Sequence, residues 1–272
     1  VRKNNTKLTP AIKWSGSKRS QVSTILRYVP TFNRYYEPFV GGGSVLYAAA
    51  PSSGVCGDIC EPLIQFWNTV KSSPVQLADS YAERWEQLQK EGYQTYYVIR
   101  DRFNATPNAE DLLFLSRTCV NGLIRFNKNG EFNNSLHHTR KGIVPHSLKQ
   151  ILLDWSSHIQ GMSFICGDYR ETTESITKND FIYLDPPYFN TRGRYYGTID
   201  YEPFLEYLAM LNAKKIKFAL SFDGSRGDKS YLVDLPKELY KQHIFIQSGN
   251  ASFKKVMDGK AEQVTESLYL NF

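Results

Sequence analysis

Cysteine is scarce in this chain of 272 residues. Cys56, Cys60, Cys119 and Cys166 are scattered, with one Cys-x3-Cys spacing and no histidine spacing to complete a metal set. That excludes a disulfide framework and a zinc site, and no metal is expected. Long apolar runs are missing too. The longest mostly apolar stretch, Val45 to Ala50, falls far short of the roughly 20 residues that span a bilayer, so no membrane anchor is expected. Val1 to Lys13 is polar and basic without the apolar segment of a secretory signal. A reducing, cytoplasmic setting is therefore the default expectation, and Val1 in place of an initiator Met reads as a processed or cut start. No internal repeat or low-complexity block is present. Aromatic residues, in contrast, are plentiful: 18 Tyr and 16 Phe in a chain 41% apolar and 22% charged. This composition is globular rather than disordered. At this size roughly 70% of the unfolded chain's surface is buried, enough for one large domain or a domain with an inserted lobe.

Residues 35 to 43, Tyr-Tyr-Glu-Pro-Phe-Val-Gly-Gly-Gly, predict a short strand running into a glycine turn, with a helix over Ser44 to Ala50. Gly54 to Ile59 predicts a second strand, with Asp58 at its end. From about Leu63 to Asn121 apolar residues fall at helical spacing, as in Leu77, Tyr81, Trp85 and Leu88. Strand signals return at Ser163 to Cys166, Asp180 to Leu184 and Ile216 to Ser221, with helices over Glu171 to Ile176 and Tyr201 to Asn212. Late strands fit His243 to Gln247 and Glu266 to Asn271. The fold class is α/β: an open, mostly parallel sheet interrupted by a mainly helical insertion over residues 71–150.

The chain carries 33 Lys and Arg against 27 Asp and Glu, a net +6. Between Arg117 and Lys149 the basic residues are Arg117, Arg125, Lys128, Arg140, Lys141 and Lys149 against Glu131 alone, a local +5. Charge runs are usually solvated faces. This one also holds Asn121, Asn127, Asn129, Asn133, Asn134, His137 and His138, which suit bases and phosphates, so nucleic-acid contact is the favoured expectation.

Asp185-Pro186-Pro187-Tyr188 follows the apolar run Phe181 to Leu184, at a strand end where open α/β sheets bind ligands. Two prolines make a stiff turn that donates no hydrogen bonds. A carboxylate before it and an aromatic ring after it suit a planar base: Asp185 and the Pro186 carbonyl accept from an exocyclic amine while Tyr188 stacks on the ring. Glu37-Pro38-Phe39-Val40-Gly41-Gly42-Gly43-Ser44 lets backbone approach a ligand. It lacks both the dinucleotide Gly-x-Gly-x-x-Gly pattern and the P-loop Lys-Ser/Thr ending, so a pyrophosphate is not required. Asp58, at the next strand end, is placed to accept both hydroxyls of a ribose. Lys13-Trp14-Ser15-Gly16-Ser17-Lys18 forms a basic loop, and Gly167-Asp168-Tyr169 closes a third strand. Asp58, Asp168 and Asp185 thus make one rim.

Together with Asn121-Gly122-Leu123-x-Arg125-Phe126-Asn127-x-x-Gly130-Glu131-Phe132-Asn133, these motifs, in this order, resemble the Dam-like amino-group DNA methyltransferases: the D12 class, alpha group, acting on adenine N6. The resemblance implies a Rossmann-like methyltransferase sheet, with residues 1–70 and 151–272 forming a discontinuous catalytic domain that binds S-adenosylmethionine. Residues 71–150 would be an inserted target-recognition domain bearing a β-hairpin. Trp14, Lys18, Phe39, Gly41, Ser44 and Asp58 look like the cofactor site, with Asp168 and Tyr169 beside the adenine ring and Asp185 shared with the catalytic turn Asp185, Pro186, Pro187 and Tyr188. Asn121, Leu123, Arg125 and Asn133 match a hairpin that enters the major groove, with Lys13 near the DNA. Cys60, Ser17, Val120 and Asn134-Ser135 depart from the commonest GATC-specific pattern, and the last two bear on base recognition.

The expected activity is methyl transfer from S-adenosylmethionine to N6 of an adenine flipped from double-stranded DNA, leaving S-adenosylhomocysteine. A bacterial or phage-type setting in restriction-modification or genome marking is implied, with a cognate restriction endonuclease as a candidate partner and a monomer as the default state. The alternatives are a cytosine-N4 or RNA amino-methyltransferase and a non-catalytic DNA-binding regulator of the same fold.

Overall fold

The structure, a computed structural model, describes residues 8–139, 141–187, 199–226, 229–230, 235–248 and 264–272. Its sheet is built from β1 (Tyr35–Glu37), β2 (Gly54–Asp58), β3 (Met162–Cys166), β4 (Phe181–Leu184), β5 (Lys217–Arg226), β6 (Lys229–Ser230), β7 (Gln242–Ser248) and β8 (Val264–Leu270). The order is β3-β2-β1-β4-β5-β8-β7, with β6 beside β5. β3 to β5 run parallel, whereas β8 lies antiparallel between β5 and β7. Central strands covered on both faces need apolar residues throughout, and β1 and β4 are buried at every position. β3, at the edge, mixes buried and exposed positions.

Alternate residues feed two cores. Tyr35, Phe181 and Tyr183 point into the larger one, whereas Tyr36, Ile182 and Leu184 join Phe204, Tyr207 and Leu208 on the opposite face. The latter three belong to α9 (Tyr201–Ala213). The larger core also takes in α1 (Val22–Ile25), α2 (Ser44–Ala49) and the helices that separate β2 from β3. These are α3 (Glu61–Ser72), α4 (Pro74–Glu91), α5 (Tyr93–Ala105), α6 (Ala109–Thr118) and α7 (Pro145–His158). Proline at the first turn starts α3, α4 and α7. The Asn108 side chain accepts the Asp111 N–H at 2.8 Å to cap α6. Asp111, fully buried, then accepts from Arg84 Nε and Arg102 Nε at 2.8 Å each, tying α4, α5 and α6 together.

The sequence places a helix over Glu171 to Ile176; the structure has one turn, α8 (Tyr169–Thr172), that starts earlier. Asp168 caps it, accepting the Arg170 N–H at 3.0 Å while the Asp168 N–H reaches Glu171 Oε2 at 3.2 Å. Thr173, just beyond the turn, bonds back to the Tyr169 carbonyl and to Tyr207 at 2.7 Å. Between α6 and α7 the chain makes a hairpin from two antiparallel bridges, Cys119 with Leu136 and Phe126 with Phe132. A full ladder is replaced in part by Asn104, whose side-chain amide pairs with both backbone groups of Phe132 at 2.8 and 3.1 Å.

Candidate active site

Strand order reverses where β4 joins β1, and ligands of open α/β sheets bind beyond the strand ends at such a point. A cleft of about 990 Å³, open mouth included, lies there. It is lined by Trp14, Lys18, Phe39, Gly41, Ser44, Asp58, Asp168, Tyr169, Asp185, Pro186 and Pro187. Tyr188 falls outside the described residues.

The floor is the glycine turn after β1. Gly41 has φ +45°, and a Cβ there would stand 2.9 Å from the Trp14 indole, so the close approach of backbone to ring admits only glycine without displacement. The Gly41 peptide is pinned on both sides: its N–H donates to Asp58 Oδ2 at 3.2 Å, and its carbonyl accepts from Trp67 Nε1 at 3.0 Å. Ser17 and Ser44 share a hydroxyl hydrogen bond of 2.8 Å, which fastens the N-terminal loop to α2.

Asp58 also accepts the Cys60 N–H at 3.0 Å. Burial pushes its carboxyl up to about 6, against the pull of the Cys60, Gly41 and Ile59 backbone donors. Each oxygen keeps acceptor capacity for a ligand hydroxyl. The neighbouring wall is aromatic: Phe39 and Tyr169 lie 5.5 Å apart, and Phe204 backs Tyr169 at 5.7 Å. Arg170 covers Tyr169 at 5.3 Å while bonding Asp168 at 2.7 Å.

At the Asp185-Pro186-Pro187 turn Lys18 Nζ sits 2.9 Å from Asp185 Oδ1. Burial raises Asp185 to about 6, Lys18 pulls it down, and Glu266 pushes it up. Tyr183, the next residue but one before it, bonds Ser221 at 2.7 Å. Glu37 is also buried in the wall and accepts from the Tyr35 hydroxyl at 2.7 Å. Its carboxyl rises to about 8 because burial outweighs that hydrogen bond, with Asp185 adding to the rise. Sequence reasoning does not single out Glu37, Tyr183 or Glu266 as site groups. Glu37 has a readable signal, since Tyr35 two residues earlier shares its strand face; Glu266 has none.

The groove-reading candidates lie elsewhere. Asn121, Leu123, Arg125 and Asn133 are exposed on and beside the hairpin, and none lines the cleft. Arg125 Nε donates to Asn133 Oδ1 at 2.9 Å, and the Asn133 N–H to the Arg125 carbonyl at 3.0 Å. Asn127 Oδ1 closes the tip by accepting from the N–H groups of Asn129 and Glu131. Buried Asn134 fixes the base, donating to the Val120 and Leu123 carbonyls at 2.9 Å each. Exposed Lys13 lays its carbon chain against Gly122, so the hairpin base adjoins the loop that carries Lys18.

The charge count needs a correction here. Arg117 is not part of a basic surface: its side chain is half-buried with Nε shut off from solvent, its guanidinium donates to the Pro10 and Ala11 carbonyls, and burial lowers it to about 10. Lys149 pairs with Asp79 at 3.1 Å. Arg140 lies outside the described residues, leaving Arg125, Lys128 and Lys141 as the exposed cations of that segment. Among the described residues no group of His, Cys, Asp and Glu is arranged to hold a metal ion, and no helix is long and apolar enough to cross a membrane.

A family model described as D12 class N6 adenine-specific DNA methyltransferase matches residues 14–250. The chain is 35% identical over 181 residues to the DNA adenine methylase of Vibrio cholerae serotype O1, covering 65% of this chain and 64% of that protein. It is 30% identical over 202 residues to the type II methyltransferase M.MjaIII of Methanocaldococcus jannaschii, covering 66% and 68%. With the DNA N-6-adenine-methyltransferase of Escherichia phage P1 it shares 33% identity over 184 residues, 65% of this chain and 23% of that one. The match to the Vibrio cholerae relative thus spans just under two thirds of its length.

Proposed function

Given that the chain belongs to the D12 class of N6 adenine-specific DNA methyltransferases, we propose that it methylates N6 of adenine in double-stranded DNA, with S-adenosylmethionine as donor and S-adenosylhomocysteine as product. The observation that carries this reading is that Asp185-Pro186-Pro187, at the end of β4, opens into the same cleft as Asp58 at the end of β2.

The cleft suits the cofactor chemically. Asp58, a carboxylate raised to about 6 with one backbone donor on each oxygen, gains from two ribose hydroxyls. Phe39 and Tyr169 offer an apolar wall to a planar base, with Asp168 beside them. Trp14, Gly41 and Ser44 form the floor toward the catalytic turn, and Lys18 supplies the cationic side. When bound, S-adenosylmethionine supplies a sulfonium methyl as the electrophile.

The chain's own groups do the rest by positioning and electrostatics. Asp185 and the Pro186 carbonyl accept the hydrogens of the adenine amine, leaving its lone pair directed at the cofactor. As positive charge grows on nitrogen, the Asp185 carboxylate stabilises it, and the displaced proton passes to water. Extruding the base costs a few kcal/mol of unstacking, offset by stacking, with Tyr188 assigned to the ring, and by these hydrogen bonds.

Residues 71–150 are assigned to target reading and residues 1–70 with 151–272 to catalysis. Arg125 is the candidate for bidentate contact to guanine, with Asn121, Leu123, Asn133 and Lys13 around it. A cognate restriction endonuclease, a monomeric state and action on DNA in the cytoplasm complete the proposal. Methylated-base mapping of DNA from cells expressing the chain tests it: N6-methyladenine in a fixed sequence context is expected. N4-methylcytosine alone, or no modified base, would overturn it.

A further inference from the structure

Lys18 holds its charge where solvent barely reaches. Its side chain is 4% exposed, and the ammonium has two carboxylates at hand, Asp185 Oδ1 at 2.9 Å and Glu266 Oε2 at 3.3 Å. The Gly16 carbonyl stands at 3.4 Å. Asp185 belongs to the turn after β4, whereas Glu266 comes from β8, across β5. Glu266 Oε2 is shut off from water. Its approach to Lys18 is that of an ion pair off hydrogen-bond geometry, and among the described residues no group donates a hydrogen bond to it. A carboxylate oxygen placed so is costly unless its charge serves a purpose, and a glutamine would fill the same space.

We propose that Glu266 is a positioning residue for Asp185, acting through Lys18: it is a second anchor that lets the ammonium leave Asp185 Oδ1 when the amine of the target base arrives. Without that anchor the base would have to break a buried charge-assisted hydrogen bond and strand the lysine. With it, Lys18 shifts between two carboxylates already in place, and Asp185 Oδ1 is released to accept from the amine. The described groups that face Asp185 are Lys18 from the N-terminal loop, Glu266 from β8, Glu37 from β1 and Tyr183 from β4. Burial keeps Glu37 and Tyr183 largely protonated at neutral pH, leaving Lys18 and Glu266 as the charged neighbours. The proposal rests on the methyl-transfer reading, and the first measurement below does not need that activity.

Carbon-13 NMR of aspartate carboxyls, with Asp185→Asn to assign the signal, follows Asp185 in the protein alone. Glu266→Gln should lower its titration midpoint by about one pH unit, because a buried negative neighbour is gone. In the methylation assay the same variant should lose roughly tenfold in kcat, with the DNA KM and the cofactor affinity within about twofold of the unaltered protein. Glu266→Asp retains the charge and should keep most of the rate and the original midpoint. In a Lys18→Met background, Glu266→Gln should change kcat no further. An unmoved Asp185 midpoint, or unchanged kcat with only a lower melting temperature, would overturn the proposal. If the unaltered protein transferred no methyl group to DNA, the functional reading would fall, while the titration would still decide whether Glu266 acts on Asp185.

Discussion

Gly41→Ala probes the geometry on which the cleft depends. Two costs follow from the structure. The backbone at φ +45° is left-handed, which adds about 1–2 kcal/mol for any residue with a Cβ. That Cβ would also sit 2.9 Å from Trp14 Cδ1 and 3.0 Å from Nε1, and overpacking of this kind costs about 1–3 kcal/mol. Rotating the peptide away is blocked by its bonds to Asp58 and Trp67. The expected loss is therefore about 2–5 kcal/mol, read from urea unfolding of the two proteins. Gly130→Ala is the matched control. Gly130 has φ +78° at the hairpin tip, and a Cβ added there would meet nothing within 4 Å, so only the conformational cost of about 1–2 kcal/mol applies. Calorimetry should also show weaker S-adenosylmethionine binding for Gly41→Ala and unchanged binding for Gly130→Ala. If the two variants unfold within about 0.5 kcal/mol of each other, the packing of Trp14 on the glycine turn is wrong.

Asp185→Ala should abolish transfer of a radiolabelled methyl group while calorimetry shows the cofactor still bound; near-normal turnover would remove Asp185 from the mechanism. Since the Asp185 carboxyl is raised to about 6 and only its ionised form carries the charge that stabilises the amine as it turns positive, kcat should fall as pH drops through about 6; a flat profile to about pH 5 would contradict this role. Asp58 is likewise raised to about 6 in the folded protein, against about 3.9 unfolded. The folded state disfavours its ionised form, so this group's contribution to stability is lost as pH rises from about 4 to about 6. Asp58→Asn should flatten that part of the urea-midpoint profile. Arg125→Ala should relax base discrimination by about 1–3 kcal/mol, whereas Lys128→Ala should weaken binding to all sequences and reduce the salt slope by about 1. Equal effects on cognate and unrelated duplexes would make Arg125 a phosphate contact.

The parts legible in the sequence are those set by local order. The glycine turn, Asp58 and the Asp185-Pro186-Pro187 turn each follow a short apolar strand, and parallel strands end where ligands bind, so a linear reading locates the cleft. What stays hidden depends on distance along the chain. Nothing near Glu266 announces that β8 will bring it to Lys18, and a count of charges cannot know that Arg117 spends its charge on the Pro10 and Ala11 carbonyls or that Lys149 meets Asp79. The hairpin is visible only through family resemblance, because its bridges lean on the Asn104 side chain instead of an alternating apolar pattern. The turn at α8 is misplaced for the opposite reason. Its capping pair, Asp168 and Glu171, is local and readable, and the Thr172-Thr173-Glu174-Ser175 run beyond it, poor in helix formers, ends the helix after one turn.

β8 enters the sheet out of chain order. This strand is made after β5 and β7 yet must slide between them, pairing with both at once. The centre of one sheet half is thus closed by a late segment, a non-local step of the kind that slows folding. Asp58, Asp185 and the hairpin between α6 and α7 all precede Glu266 along the chain. The full charge set around the Asp185-Pro186-Pro187 turn is therefore complete only once β8 has paired between β5 and β7.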